Sequence, residues 1–337
     1  MEQIVKKTLI IHLGYGKCAS TYIQHLASLS KEHLAKASIK LSRAGLVGYA
    51  NHCLSVNYCT QYATEHQHNA AMNTLCQELA AFQAGETLLV SSEYLVGDSK
   101  ISIEGILKEI PKDIDVQLII LLRRQDRLIE SWYSQEIQNA NYMDKSVMLL
   151  GETLMGTGIL SYGNFVEAFN ATIQQHGAKL SVYSLEQLYD ANIDPFLAIL
   201  SSADVDSVKA SILGQKRFVQ RNKRLTYESL MLLRFIHNEC GASLFQMFMD
   251  EWPEWFPLKG RSSYLSDAER RLILAQSTEE NSILTLQHPN CRFDKFQPSA
   301  DLSSRVVRGD ESKDYINVVS TYADLAMEWL SRGTPKG

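Results

Sequence analysis

Lys17 is the first residue in this chain whose type and surroundings suggest chemistry. It lies in Gly14-Tyr15-Gly16-Lys17-Cys18-Ala19-Ser20-Thr21, after an apolar run at Leu9-Ile10-Ile11-His12-Leu13. Apolar residues at helical spacing follow: Ile23, Leu26, Ala27 and Leu29. The run has strand length, and the spacing predicts a helix from Ser20. Strand, glycine-containing turn and helix start together make an anion cradle, because unsatisfied backbone N–H groups and the helix dipole both face the turn. Lys17 adds a full positive charge. Ser20 and Thr21 bring hydroxyls that donate to an oxyanion or cap the helix. Binding of a phosphate-like group competes here with a plain strand-to-helix turn. The spacing is not that of the nucleoside-triphosphate loop G-x-x-x-x-G-K-[ST], since Lys17 follows Gly14 by three residues and Cys18 stands at the magnesium-binding hydroxyl.

A second anion site is expected where Val116–Leu122 ends. This continuous apolar run reads as a central parallel strand buried on both faces. Arg123 and Arg124 follow it, and a helix then carries Leu128, Ile129, Trp132 and Tyr133, with Ser131 eight residues after Arg123. An arginine fork at a strand end plus a helix hydroxyl suits an oxyanion. By itself the pattern would be a strand end with surface charges; its order after the Lys17 loop favours binding. Lys259-Gly260-Arg261 is a further short cationic stretch. Glu93 is a candidate proton acceptor, and His52 stands out as a lone histidine. Glu93 follows the short apolar run Thr87–Val90, at a strand end where functional groups collect. His52 stands in Ala50-Asn51-His52-Cys53-Leu54. A cap or salt bridge for Glu93, and an ordinary structural role for His52, are the competing readings. His66 and His68 have a metal-like spacing, but no Cys or acidic set accompanies them, so they read as a solvated loop and no metal is expected.

The stretch GYGKCASTYI resembles the 5′-phosphosulfate loop of sulfotransferases that use 3′-phosphoadenosine-5′-phosphosulfate (PAPS), usually G-x-P-K-[TS]-G-[ST]-T-x-L. Gly14, Lys17, Ser20, Thr21 and Ile23 match; Gly16 replaces Pro, Cys18 replaces Thr or Ser, and Ala19 replaces Gly. If that last position needs positive φ, Ala19 strains it. Arg123 and Ser131, with Tyr133 after them, look like the family's 3′-phosphate motif, and Lys259-Gly260-Arg261 is similar to its late loop on the same phosphate. The resemblance implies PAPS as sulfuryl donor, no metal, and a donor site comprising Gly14, Tyr15, Gly16, Lys17, Cys18, Ala19, Ser20, Thr21, Arg123, Ser131, Lys259, Gly260 and Arg261. It implies Lys17 as a catalytic cation and His52 or Glu93 as base, since the family uses either residue type. It leans toward a saccharide hydroxyl as acceptor. A P-loop kinase using magnesium-ATP, and a degenerate nucleotide-binding member, are the alternatives.

Strands near residues 8, 87, 116 and 180, with helices between, must position these groups. They predict an α/β fold: a P-loop-like doubly wound parallel sheet flanked by helices, with a helical C-terminal portion. The expected organisation is one domain over 1–337, with helical insertions at about 31–85 and 140–175 and a helical region at 215–337. Within it, residues 31–60 read as a helix end, a loop and a possible helix from Asn51. Helices are expected over 72–83, 165–173, 227–240, 267–277 and about 315–330, the fourth opened by a capping box at Ser266–Glu269. Residues 143–163 read as a flexible excursion, 216–224 as a solvated basic face and 251–257 as an aromatic loop. The chain of 337 residues is 45% hydrophobic and 21% charged, which is ordinary for a globular protein. Its net charge of −5 argues against broad nucleic-acid affinity. The six cysteines show no paired spacing, which suits a reducing cytoplasm. No signal peptide and no membrane span are expected.

Overall fold

The computed structural model describes residues 6–97, 99–219, 225–251, 263–293 and 320. It is an α/β protein with a five-stranded, all-parallel sheet flanked by helices. The sheet is built outward from β1 (Lys7–Gly14), whose residues from Leu9 onward are buried. β3 (Thr87–Ser92) pairs on one side of β1 and β4 (Ile114–Leu122) on the other, with Leu13 opposite both Ser92 and Ile120. β2 (Ile39–Leu41) and β5 (Lys179–Ser184) complete the order β2-β3-β1-β4-β5. Parallel neighbours need crossovers, so helices cover both faces and the central strands read as unbroken apolar runs. The chain adds strands first to one side of β1 and then to the other. Such a reversal opens a crevice at the carboxyl ends of the strands, as in doubly wound folds.

The chain divides into two compact units, one of residues 1–124, 161–221 and 279–294, the other of 125–160, 222–278 and 295–337. The first holds the whole sheet. His12 is its least ordinary core residue. It is fully buried on β1, its Nδ1 shares a 2.8 Å hydrogen bond with Ser91 Oγ, and its Nε2 has no hydrogen-bond partner among the described residues. Gln24 Nε2 donates to the same Ser91 oxygen from the first helix, α1 (Ser20–Leu29).

The described part of the second unit is helical and is organised by Arg270, on the Asp267–Gln276 helix. Its guanidinium bonds Asp126 and Glu130 of the Gln125–Gln138 helix, and all three side chains are buried. Arg270 Nη2 also donates to Ser263 Oγ at 2.7 Å. Glu130 Oε1 further accepts the Tyr264 and Leu265 N–H groups at 2.7 and 3.1 Å, so the same carboxylate ties down the chain leading into the Asp267–Gln276 helix. The capping box expected at Ser266 and Glu269 opens that helix.

Several local expectations change. Residues 31–60 contain a strand, β2, which the three-residue run Ile39-Lys40-Leu41 is too short to announce. His66 and His68 lie on the Glu65–Ala80 helix, not in a loop, because Thr64 caps it by accepting the Gln67 N–H. The supposed flexible excursion holds the Val147–Gly156 helix, capped by Ser146. Residues 227–240 form an α-helix only to Phe235 and then a π-turn, Ile236–Cys240. Residues 220–224 of the basic stretch, 252–257 of the aromatic loop and the helix expected at about 315–330 lie outside the described residues, residue 320 excepted. Among the described residues no helix is long and apolar enough to cross a membrane.

Two stability predictions follow from the buried polar groups. Removing Arg270 leaves two buried carboxylates without their cation, so Arg270→Met should cost about 3–5 kcal/mol in denaturant unfolding, whereas Met at its exposed neighbour Arg271 should change little. Burial lowers the pKa of His12 from 6.5 to about 4. The unfolded chain therefore binds the proton that the folded chain refuses, and stability falls as pH drops from about 6.5 to about 4, by roughly 3 kcal/mol in total. His12→Asn, which keeps a polar partner for Ser91, should flatten that part of the stability–pH curve; an unchanged slope would refute the assignment.

Candidate active site at the carboxyl edge of the sheet

The Lys17 loop leaves β1 at Gly14 and enters α1 at Ser20. Gly14 is a steric requirement. A Cβ there would run into Ser20 Oγ and come within 2.9 Å of Glu93 Cα. The end of β1, the start of α1 and the residue after β3 thus meet at one point. Between them the backbone turns tightly: the Cys18 N–H donates to Tyr15 O at 3.1 Å. Lys17 and Ala19 both have left-handed backbones, with φ of 64° and 67°. Each costs an L-residue about 1–2 kcal/mol, so Ala19 does stand where the loop calls for positive φ. Turns of this kind direct backbone N–H groups into an anion-binding concavity. Ala19 is also the N-cap of α1, and no side-chain cap hydrogen bond closes that helix start.

The side chains of the loop divide between core and rim. Tyr15 is buried and meets Tyr162 and Phe165 edge-on at 5.4 Å each. Cys18 is fully buried, and burial pushes its thiol far above the ordinary range. Both can offer a ligand only their backbone. Ser20 is buried beneath the loop with Oγ 3.5 Å from Tyr15 O, Lys17 and Gly16 are half-buried, and Thr21 is exposed.

Arg123 follows β4 and braces this loop. Its Nη1 donates to Lys17 O at 3.4 Å, and its Nε lies 3.7 Å from Glu186 Oε1. Its own carbonyl accepts the Tyr162 hydroxyl at 2.7 Å, while the Arg124 N–H donates to Glu186 at 2.9 Å. Tyr162 therefore joins the Tyr15 ring to the Arg123 backbone, and the strand end and the loop are held as one piece.

Glu93 and His52 meet at the end of β3. Burial raises the Glu93 pKa above the usual carboxylate range, and the nearby Lys17 ammonium partly offsets this. Glu93 is thus a stronger base than an ordinary carboxylate, set beside the loop cation. His52 opens a short 3₁₀ turn, His52–Leu54. Its Nδ1 shares a 2.9 Å hydrogen bond with Ser92 Oγ, and burial lowers its pKa, so it is neutral at pH 7. Asn51 places this turn: its N–H donates to Ser91 O, its Oδ1 accepts the Ser91 N–H, and its Nδ2 donates to Ser42 O and Ala44 O.

Gly14, Lys17, Ser20, Glu93, His52 and Arg123 thus belong to one edge of the first unit. Ser131 is carried by the Gln125–Gln138 helix of the second unit, and Lys259, Gly260 and Arg261 lie outside the described residues. Sequence reasoning passed over Asn51, Ser92, Tyr162 and Glu186. Ser92 could have been found from its place beside Glu93 at a strand end and Asn51 from its place beside His52; Tyr162 and Glu186 contact the site from distant segments and carry no local signal. A scan of the chain against protein-family models finds no match, and neither does a search of the curated proteins.

The left-handed residues allow a direct test. Ala19→Gly removes the Cβ strain and adds chain entropy, for an expected net gain of about 0.5–1 kcal/mol in unfolding free energy. Gly14→Ala, which inserts a Cβ into the Ser20–Glu93 contact, should lower stability by about 1–3 kcal/mol. Equal effects of the two changes would show that the loop geometry is not under this constraint.

Proposed function

We propose that this chain is a PAPS-dependent sulfotransferase with a P-loop-like α/β fold, acting on an acceptor hydroxyl for which a saccharide is the first choice. The observation that carries the reading is the meeting of a cation, a proton acceptor and an uncapped helix start: Lys17, Glu93 and α1 converge around Gly14. The loop's resemblance to the 5′-phosphosulfate loop chooses the donor among anions. The donor supplies a sulfuryl group whose S–O bond to the 5′-phosphate breaks as a new S–O bond to the acceptor oxygen forms, the phosphate leaving with the electron pair.

The residues fit such an anion. The turn and the α1 start offer N–H groups and the positive end of the helix dipole to a 5′-phosphate, with the Ser20 and Thr21 hydroxyls beside them. Lys17 neutralises charge that builds on the leaving oxygen, which is the help that in-line transfer most needs. Glu93 or His52 takes the acceptor proton: burial makes Glu93 a stronger base than an ordinary carboxylate and keeps His52 in its neutral, proton-accepting form. Arg123, which braces the loop from the end of β4, offers a guanidinium for the 3′-phosphate. Lys17 supplies the positive charge that a nucleotide enzyme would take from magnesium, so no metal is required by this scheme.

Calorimetric titration with 3′,5′-adenosine bisphosphate, against ADP and magnesium-ATP, tests the donor site. The expected result is binding in the micromolar range, about 8 kcal/mol, weakened tenfold or more by Arg123→Ala. Preference for magnesium-ATP would make the chain a kinase, and no binding to either would leave the cradle as structure. In PAPS turnover with a panel of sugar acceptors, Lys17→Ala should lose roughly a hundredfold or more in rate with little change in bisphosphate binding, while the exposed Lys31→Ala should match the parent. Equal losses in the two variants would remove Lys17 from the chemistry.

A further inference from the structure

Four rings pack against one another beside Glu93. His52 lies 4.8 Å from Tyr94 and 5.1 Å from Tyr58, measured between ring centres. Tyr58 is 4.8 Å from Tyr94 and 5.5 Å from Tyr62, and Tyr62 is 5.8 Å from Tyr94. Tyr58 and Tyr62, four apart, share a face of the Val56–Tyr62 helix, and Tyr94 directly follows Glu93. Filling a core does not account for the cluster, because Tyr62 is 63% exposed and the other three rings are half-buried. The wall continues into the candidate site through Ser92, whose Oγ bonds His52 and accepts the Tyr94 N–H at 3.3 Å.

The chemistry of the wall restricts what it can hold. Among the described residues no Lys or Arg stacks on these rings, and the neighbouring ionisable group of full charge is the Glu93 carboxylate. An anionic ligand on these rings would therefore meet π-faces and the Glu93 carboxylate, and among the described residues the cation acting on that carboxylate is Lys17 of the donor loop. The rings touch each other, several edge to face, and do not box an open centre, so a cation has no cage to enter. What remains on offer is an outer aromatic surface edged with phenol hydroxyls. Burial, then the neighbouring Tyr62 and Glu93, raise the Tyr94 pKa, so its hydroxyl stays a donor at neutral pH.

We infer that this wall is the acceptor subsite, receiving an uncharged ring that lays its face on Tyr58 and Tyr62 and turns a hydroxyl toward Glu93. The word acceptor rests on the transfer reading above; the binding of a ring does not. A pyranoside and a phenol share this chemistry, a flat face of low polarity with a hydroxyl on its rim.

Ligand-observed NMR titration of the full chain with methyl β-D-galactopyranoside, 2-naphthol, methyl β-D-glucuronide and choline tests the inference and separates the sources. One or both of the first two probes should bind, and the glucuronide and choline should not. Tyr62→Ala, at an exposed position that leaves the fold intact, should weaken the bound probe about fivefold to tenfold, while Tyr62→Phe, which keeps the face, should stay within about twofold. Affinity for 3′,5′-adenosine bisphosphate should be the same in all three proteins. Preference for glucuronide or choline, failure of both neutral probes, or indifference to Tyr62→Ala would overturn the subsite. A bound ring probe without bisphosphate binding would instead overturn the donor reading and leave the ring site standing, so the two failures are distinguishable.

Discussion

Gly14 has no Cβ, and much of the candidate site depends on that. At the end of β1 the chain must turn into α1 while β3 delivers its own terminus alongside. The space is so small that one added carbon would meet Ser20 Oγ and come 2.9 Å from Glu93 Cα. Close backbone approach of this kind brings a loop cation and a strand-end carboxylate together without long side chains spanning a gap. It also makes the arrangement stiff: none of the three segments can shift unless the others do. A site that must hold reacting groups within a fraction of an ångström benefits from such a contact, because positioning is then a property of the backbone.

The loop above Gly14 stores strain, and its surroundings hold it. Two left-handed non-glycine residues within three positions, Lys17 and Ala19, cost about 1–2 kcal/mol each. Tyr15 opposes relaxation by burying its ring edge-on against Tyr162 and Phe165. Arg123 opposes it by donating to Lys17 O from β4, while Glu186 and Tyr162 fix Arg123 in turn. Arg123 is therefore both a brace and a charge at the rim. Its replacement would disturb the loop as well as remove a cation, and the contact to Lys17 O explains why.

The fold was legible where single segments carry their own pattern. The apolar runs of β1, β3 and β4, the mixed strand β5 and the capping box at Ser266 each announce themselves within a few residues. β2 did not, because three residues paired at a sheet edge have no period of their own. The strand, turn and helix start around Lys17 were legible from residue types, and the cost at Ala19 from comparison with a glycine; the left-handed backbone of Lys17 was not, since lysine gives no conformational hint. Glu93 and His52 could be named separately but not joined. Ser92 and Asn51 join them, and the hydrogen bonds that do so span forty residues of sequence. The aromatic wall is similarly assembled from three segments, each of which reads as an ordinary helix start or face.

Lys17 and Glu93 also act on each other, with a consequence for the order of events at the site. Burial raises the carboxylate's pKa and the ammonium lowers it, so in the protein alone the two effects partly cancel. An anion in the cradle would neutralise the lysine's field and withdraw water from the carboxylate. Both changes favour the protonated form, so the proton affinity of Glu93 would rise as the cradle fills. The base would then be stronger with the anionic group in place than without it. Under the proposed transfer, a hydroxyl held against the neighbouring rings would lose its proton most readily to Glu93 in that filled state, which would tie activation of an acceptor to the presence of a donor through the electrostatic interaction of Lys17 with Glu93.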